Sequence, residues 1–127
     1  MIIEDYVSFE TAKLLKEKGF NGKCNKCYAY FVDDDIRCLD LKYPKLAQSL
    51  IANRHPCITL QMAMKWLREV HNIHIDICSI WDTTHWLYQV FVITPRTARN
   101  SYVDKILYTS YEQAVEAGIK YSLKNLI

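Results

Sequence analysis

The sequence predicts an α+β fold, an antiparallel sheet of four to five strands with two to four helices on one face. Three observations predict it. Leu60, Ala63, Met64, Leu67 and Val70 recur at helical spacing. Just beyond, near Asn72, the period changes: Ile73, Ile75 and Ile77 alternate with His74, Asp76 and Cys78, the two-residue repeat of a half-buried strand. Trp86 to Ile93 is then apolar at nearly every position except Gln89, as expected of a strand that is central, covered on both sides, or part of an oligomer contact.

The remaining elements follow in order. Ser8 has the character of an N-cap with Glu10 in the positive first turn, and Phe9, Ala12 and Leu15 make one stripe, with Leu14 beside it. Lys13, Lys16 and Lys18 face away, Gly19 closes the helix, and Phe20 folds back on its end. Cys27 to Val32 reads as a strand, Asp33-Asp34-Asp35 as a turn and Ile36 to Leu41 as the returning strand of a hairpin. Tyr43 to Pro56 reads either as a helix, through Leu46, Ala47, Leu50 and Ile51, or as a loop closed by His55-Pro56.

Thr59 is the expected cap of the central helix, Trp66 sits on its flank and His71 ends it. Pro95 to Ser101 is polar and reads as a loop, and Asp104 to Thr109 as a short strand. Ser110 to Gln113 fits a capping box, in which the serine oxygen takes the Gln113 amide and the Gln113 side chain returns to the cap amide. Ala114, Val115, Gly118, Ile119, Ser122 and Leu123 line one side of the last helix, with Gly118 marking a close approach to the sheet or a neighbouring helix. The order is α-β-β-(α)-α-β-β-β-α.

At 127 residues the chain is read as a single domain, 1–127. A chain of this length buries roughly two-thirds of its unfolded surface, enough for a core without staples. Half of it is hydrophobic and 24% charged, the balance of an ordinary globular protein. A net charge of +2 argues against a strongly electrostatic nucleic-acid binder. No apolar run approaches the roughly 18 residues of a membrane span, and the acidic start MIIEDYVSFE lacks the basic, then apolar, layout of a secretory signal. A cytoplasmic protein with reduced thiols is expected, since five cysteines suit no complete disulfide framework.

The chemical candidates are sparse. Cys24 and Cys27 have the spacing of half a zinc knuckle, but tetrahedral zinc needs four ligands; Cys38 stands alone and His55-Pro56-Cys57 is a poor second pair. Reduced, partly buried thiols explain the pair equally. His71, His74 and His85 surround the hairpin without sharing a helix face, so cap or surface roles outweigh coordination or acid–base work. Asp33 to Asp35 lacks the spaced ligands and glycine of a calcium loop and fits an exposed turn. Neither a phosphate loop, a G-x-S-x-G elbow nor an H-E-x-x-H helix occurs, and no cofactor is expected. The most suggestive surface set is Trp81, His85 and Trp86 at a hairpin tip, with Arg96 and Arg99 on the following loop, since aromatics and arginine supply both protein hot spots and single-strand stacking platforms. Packing in the core or at a sheet edge is the plainer role of Trp81 and Trp86.

Ser8 to Phe20, Thr59 to Ile75 and Ser110 to Leu123 together resemble small proteins of gut Bacteroidetes, their phages and integrated elements. The resemblance covers about a third of the chain and implies a cytosolic, mobile-element-linked accessory protein with no assigned activity. A non-enzymatic role is expected, through a protein partner or a homodimer. Single-stranded nucleic acid and a small metal-dependent enzyme are the alternatives.

Overall fold

The computed structural model describes residues 2, 4–22, 26–30, 36–40, 55–80, 84–95, 98–103 and 106–127. They form an α+β chain that divides into two compact units, 1–59 and 60–127. The expected single sheet of four to five strands is corrected to two three-stranded antiparallel sheets, one in each unit. Each sheet closes among strands of its own half.

In the first unit, helix α1 (Phe9–Glu17) begins where Ser8 accepts the Thr11 amide on its hydroxyl at 3.3 Å, the expected cap. Thr11, Ala12 and Leu15 are buried. The helix ends at Gly19, whose φ of +91° costs a side-chain-free residue little. The Phe20 amide donates to Leu15 O at 2.9 Å and the Gly19 amide to Lys16 O at 3.2 Å, a Schellman closure that caps two carbonyls.

Strands β1 (Lys26–Tyr30) and β2 (Ile36–Asp40) form the expected hairpin, with Tyr28 opposite Cys38. The Asp33–Asp35 turn lies outside the described residues. On the other edge of β1 the two residues of β3 (His55–Pro56) pair antiparallel, Tyr28 opposite His55. His55-Pro56 is thus a short strand; the choice between helix and loop over the segment before it falls on residues 41–54, which lie outside those described. A proline is tolerated there because an edge position needs no outward donor. The Tyr28 hydroxyl donates to Val7 O at 2.6 Å, and the Phe9 ring meets Tyr28 and His55 edge-on, at 5.8 and 5.3 Å.

In the second unit, helix α2 (Leu60–His71) buries Leu60, Ala63, Met64 and Leu67. Val70, expected on the same stripe, is 57% exposed. Ten residues beyond Leu60 the 3.6-residue repeat has carried the stripe round by most of a quarter turn. Thr59, expected as the cap, forms an isolated bridge with Tyr6.

Asn72, at φ 57°, turns the helix directly into β4 (Ile73–Ser79), which pairs antiparallel with β5 (Trp86–Ile93). β6 (Ala98–Val103) pairs with the other edge of β5, so β5 is central, one of the three readings its apolar run allowed. The expected loop over 95–101 and strand over 104–109 are corrected: the strand is the earlier, polar segment, and Tyr108 joins the sheet only as an isolated bridge to Trp86. An outer strand is held by backbone bonds and needs no apolar alternation to pair. A register shift near Val90 and Phe91 marks a bulge in it.

Helix α3 (Tyr111–Asn125) packs on β4 and β5. Ala114, Val115, Gly118, Ile119, Ser122 and Leu123 are all buried, as predicted. Ser110 accepts the Gln113 amide at 3.2 Å. The Gln113 side chain accepts from the amide and hydroxyl of Thr109, at 3.3 and 2.7 Å, one residue before the expected cap amide.

Candidate functional site

The second sheet has two chemically distinct faces, because cross-strand partners share a face and alternate along each strand. Ile73 opposite Val92, Ile75 opposite Val90, Ile77 opposite Tyr88 and Ser79 opposite Trp86 define the face on which α3 lies. His74 opposite Phe91, Asp76 opposite Gln89 and Cys78 opposite Leu87 define the other.

Trp86 is the expected site residue that the structure embeds most firmly. Its amide donates to Tyr108 O and its carbonyl accepts from the Tyr108 amide, both at 2.8 Å. Its ring meets Tyr111, in the first turn of α3, edge-on at 5.6 Å. Tyr88, two residues along, lies 6.2 Å from both Tyr108 and Tyr121. An aromatic cluster thus runs from the start of β5 to the start of α3. Immediately before Tyr108 the chain exposes two large apolar side chains, Ile106 at 60% and Leu107 at 47%. His85 is half-buried, and its carbonyl accepts the Ile80 amide at 3.0 Å.

Of the two expected arginines, the structure describes the backbone of Arg99, which stands away from the aromatics. Arg99 belongs to β6, not to a loop, and its backbone stands opposite Val92. Six residues of strand separate Val92 from Trp86, about 20 Å at the usual rise. Trp81 and Arg96 lie outside the described residues. Sequence reasoning overlooked Ile106, Leu107, Tyr108 and Tyr111. The available signal was the tyrosine spacing across Ser110, hidden because 104–109 looked like an ordinary strand.

Of the expected metal pair, Cys24 lies outside the described residues and Cys27 is buried in β1 opposite Pro56. Cys57 is likewise a buried free thiol. Among the described residues no three His, Cys, Asp or Glu side chains gather around a common point.

Cys78 lies on the face opposite α3. Its thiol donates to Asp76 Oδ2 and accepts from Gln89 Nε2, each at 3.7 Å. Burial, then the Asp76 charge, then that hydrogen bond push its pKa up, so the thiolate is disfavoured and the sulfur is a poor nucleophile. The histidines are dispersed among aromatic neighbours: His71 stands edge-on to Trp66 at 4.7 Å and His74 lies tilted 6.4 Å from Phe91. Among the described residues no helix is long and apolar enough to cross a membrane.

No family model, curated protein or solved structure matches the chain.

Proposed function

We propose that the chain is a small non-catalytic accessory protein that works by binding a protein partner or a second copy of itself. The observation that carries this reading is the apolar pair Ile106 and Leu107, exposed beside the Trp86–Tyr108–Tyr111 cluster. Large apolar side chains next to anchored aromatics are the composition of an interface centre, where rigid rings lose little entropy on contact. The resemblance of the three helical stretches to proteins of phages and integrated elements supports an accessory role within that class.

Single-stranded nucleic acid is served less well by the same surface. A stacking platform needs an open ring face with a cation near it. Tyr111 takes up part of the Trp86 surface, and the Arg99 backbone stands at the far end of β5.

The test replaces Ile106 and Leu107 with glutamate and compares the variant with the parent chain. Light scattering over a concentration series reads self-association, and affinity capture from host extract reads a partner. A captured protein lost in the variant is the expected result, and self-association of the parent chain would equally support the reading. A parent chain that neither associates nor captures anything ends the reading. A low-salt gel shift with single strands that weakens steeply on adding salt would move the assignment to nucleic acid.

A further inference from the structure

Helix α2 carries a second apolar line besides the one it buries. Met62, Trp66 and Val70 recur at intervals of four, which stacks them into one slanted ridge, the kind of ridge that interdigitates with a second helix. Met62 is 47% exposed and Val70 57%, while Trp66 between them is half-buried with its ring edge-on to His71. Lys65 and Glu69 border the ridge on its polar side, both exposed, with Nζ and Oε1 4.0 Å apart. An exposed pair of that kind contributes little to the helix itself, so its charges are available to a partner at small cost.

We propose that this ridge is a homodimer contact in which α2 lies antiparallel on α2 of a second copy, across a twofold axis at Trp66. It rests on the reading of the chain as an association module and names the surface a second copy would use, with Ile106 and Leu107 left to a protein partner.

The ridge is complementary to itself only in that orientation. About a centre at Trp66, Met62 meets Val70 of the partner subunit and Val70 meets Met62 of the partner subunit. Lys65 then comes beside Glu69 of the partner subunit, and symmetry repeats the contact. A parallel twofold pairing would instead leave the Lys65 and Glu69 flanks of the two copies on opposite sides of the seam, with no partner charge beside either. A second copy supplies the required charges automatically, because a twofold interface uses one patch twice. A ridge confined to one helix of 12 residues is smaller than a standard interface, which places the dimer among weak contacts burying less than about 1,200 Å².

Sedimentation equilibrium of the full chain, from low micromolar to submillimolar concentration, tests this with three variants: Met62→Glu, Val70→Lys and the two combined. The parent mass is expected to rise from monomer towards dimer. Each single variant should weaken the dimer by at least about tenfold with an unchanged thermal transition, since both positions are exposed. The double variant should recover association, because the new carboxylate at 62 then faces the new ammonium at 70 of the partner. Within one chain those positions are two turns apart and too distant to pair.

A parent dimer indifferent to Val70→Lys overturns this surface while leaving self-association standing. Monomeric singles without recovery in the double variant overturn the antiparallel register and the proposal with it. A parent chain monomeric throughout overturns the homodimer, whereas capture through Ile106 and Leu107 would still sustain partner binding. Capture that instead fails in Val70→Lys would assign the ridge to another protein's helix.

Discussion

Asn72 ends a helix and starts a strand with one dihedral. Its φ of 57° lies in the left-handed region, and its carbonyl accepts the Ile93 amide at 2.8 Å, locking β5 to the turn. Asparagine is among the few side chains that visit this region readily; others pay about 1–2 kcal/mol. Asn72→Ala is therefore expected to cost about 1 kcal/mol in urea unfolding, with Asn72→Gly close to neutral; equal stability of all three would refute the account. His55 sets a second expectation. Burial, then Lys16 and Lys13, lower its pKa below the ordinary 6.5, with Glu17 opposing. The folded unit thus prefers the neutral ring. Above pH 6.5 neither state is charged and stability is full; as pH falls through 6.5 the unfolded chain takes the proton first and stability is lost, levelling off below the folded pKa. Denaturant midpoints between neutrality and pH 5 should slope downward in the parent chain and less so in His55→Gln. Asn72 was legible because the repeat changes period beside it. His55 was not, since its pairing with Tyr28 joins positions far apart in the chain.

The elements best legible in the sequence are those whose burial is local and periodic. The α3 stripe and the bounds of β5 were readable because one amphipathic face fixes the whole set of buried positions. β6 was not, because Ala98–Val103 pairs through its backbone and carries no apolar alternation. The same reading put Arg99 on the loop after β5 and passed over Ile106 and Leu107, which the bridge at Tyr108 brings next to Trp86. Gly118 shows how closely α3 lies on the sheet. A Cβ there would stand 2.8 Å from Ile75 Cγ2 and 3.3 Å from the Tyr88 ring. Alanine would gain about 1 kcal/mol of helix propensity and pay about 1–3 kcal/mol of overpacking. Ile75 and Tyr88 are both buried and have little room to yield. Gly118→Ala is expected to lose about 1 kcal/mol net, read as a lower thermal midpoint; a raised midpoint would mean that Ile75 can shift.

At the scale of the molecule, hydrophobic patterning specified which faces are buried but not which strands share a sheet. Among the described residues the strands range from apolar β5 to polar β6, a pattern compatible with one sheet or two, and the choice depends on contacts between distant segments. In the structure each half closes its own hydrogen-bonded ladder: β2-β1-β3 before Thr59 and β4-β5-β6 after it. Within 60–127, helix α3 covers β4 and β5, and α2 touches both β4 and α3, so this half holds a core built from its own elements. Domains of about 55–65 residues can fold alone, though with little stability to spare. A fragment spanning residues 60–127 is accordingly expected to show mixed helical and strand circular dichroism and a cooperative denaturant transition, with a smaller m-value than the full chain, because less surface becomes exposed. Dispersed amide resonances that vanish together through that transition would establish the half as a folding unit. A fragment with collapsed resonances and no cooperative transition would instead mean that the chain folds only as a whole, as the one-domain expectation has it.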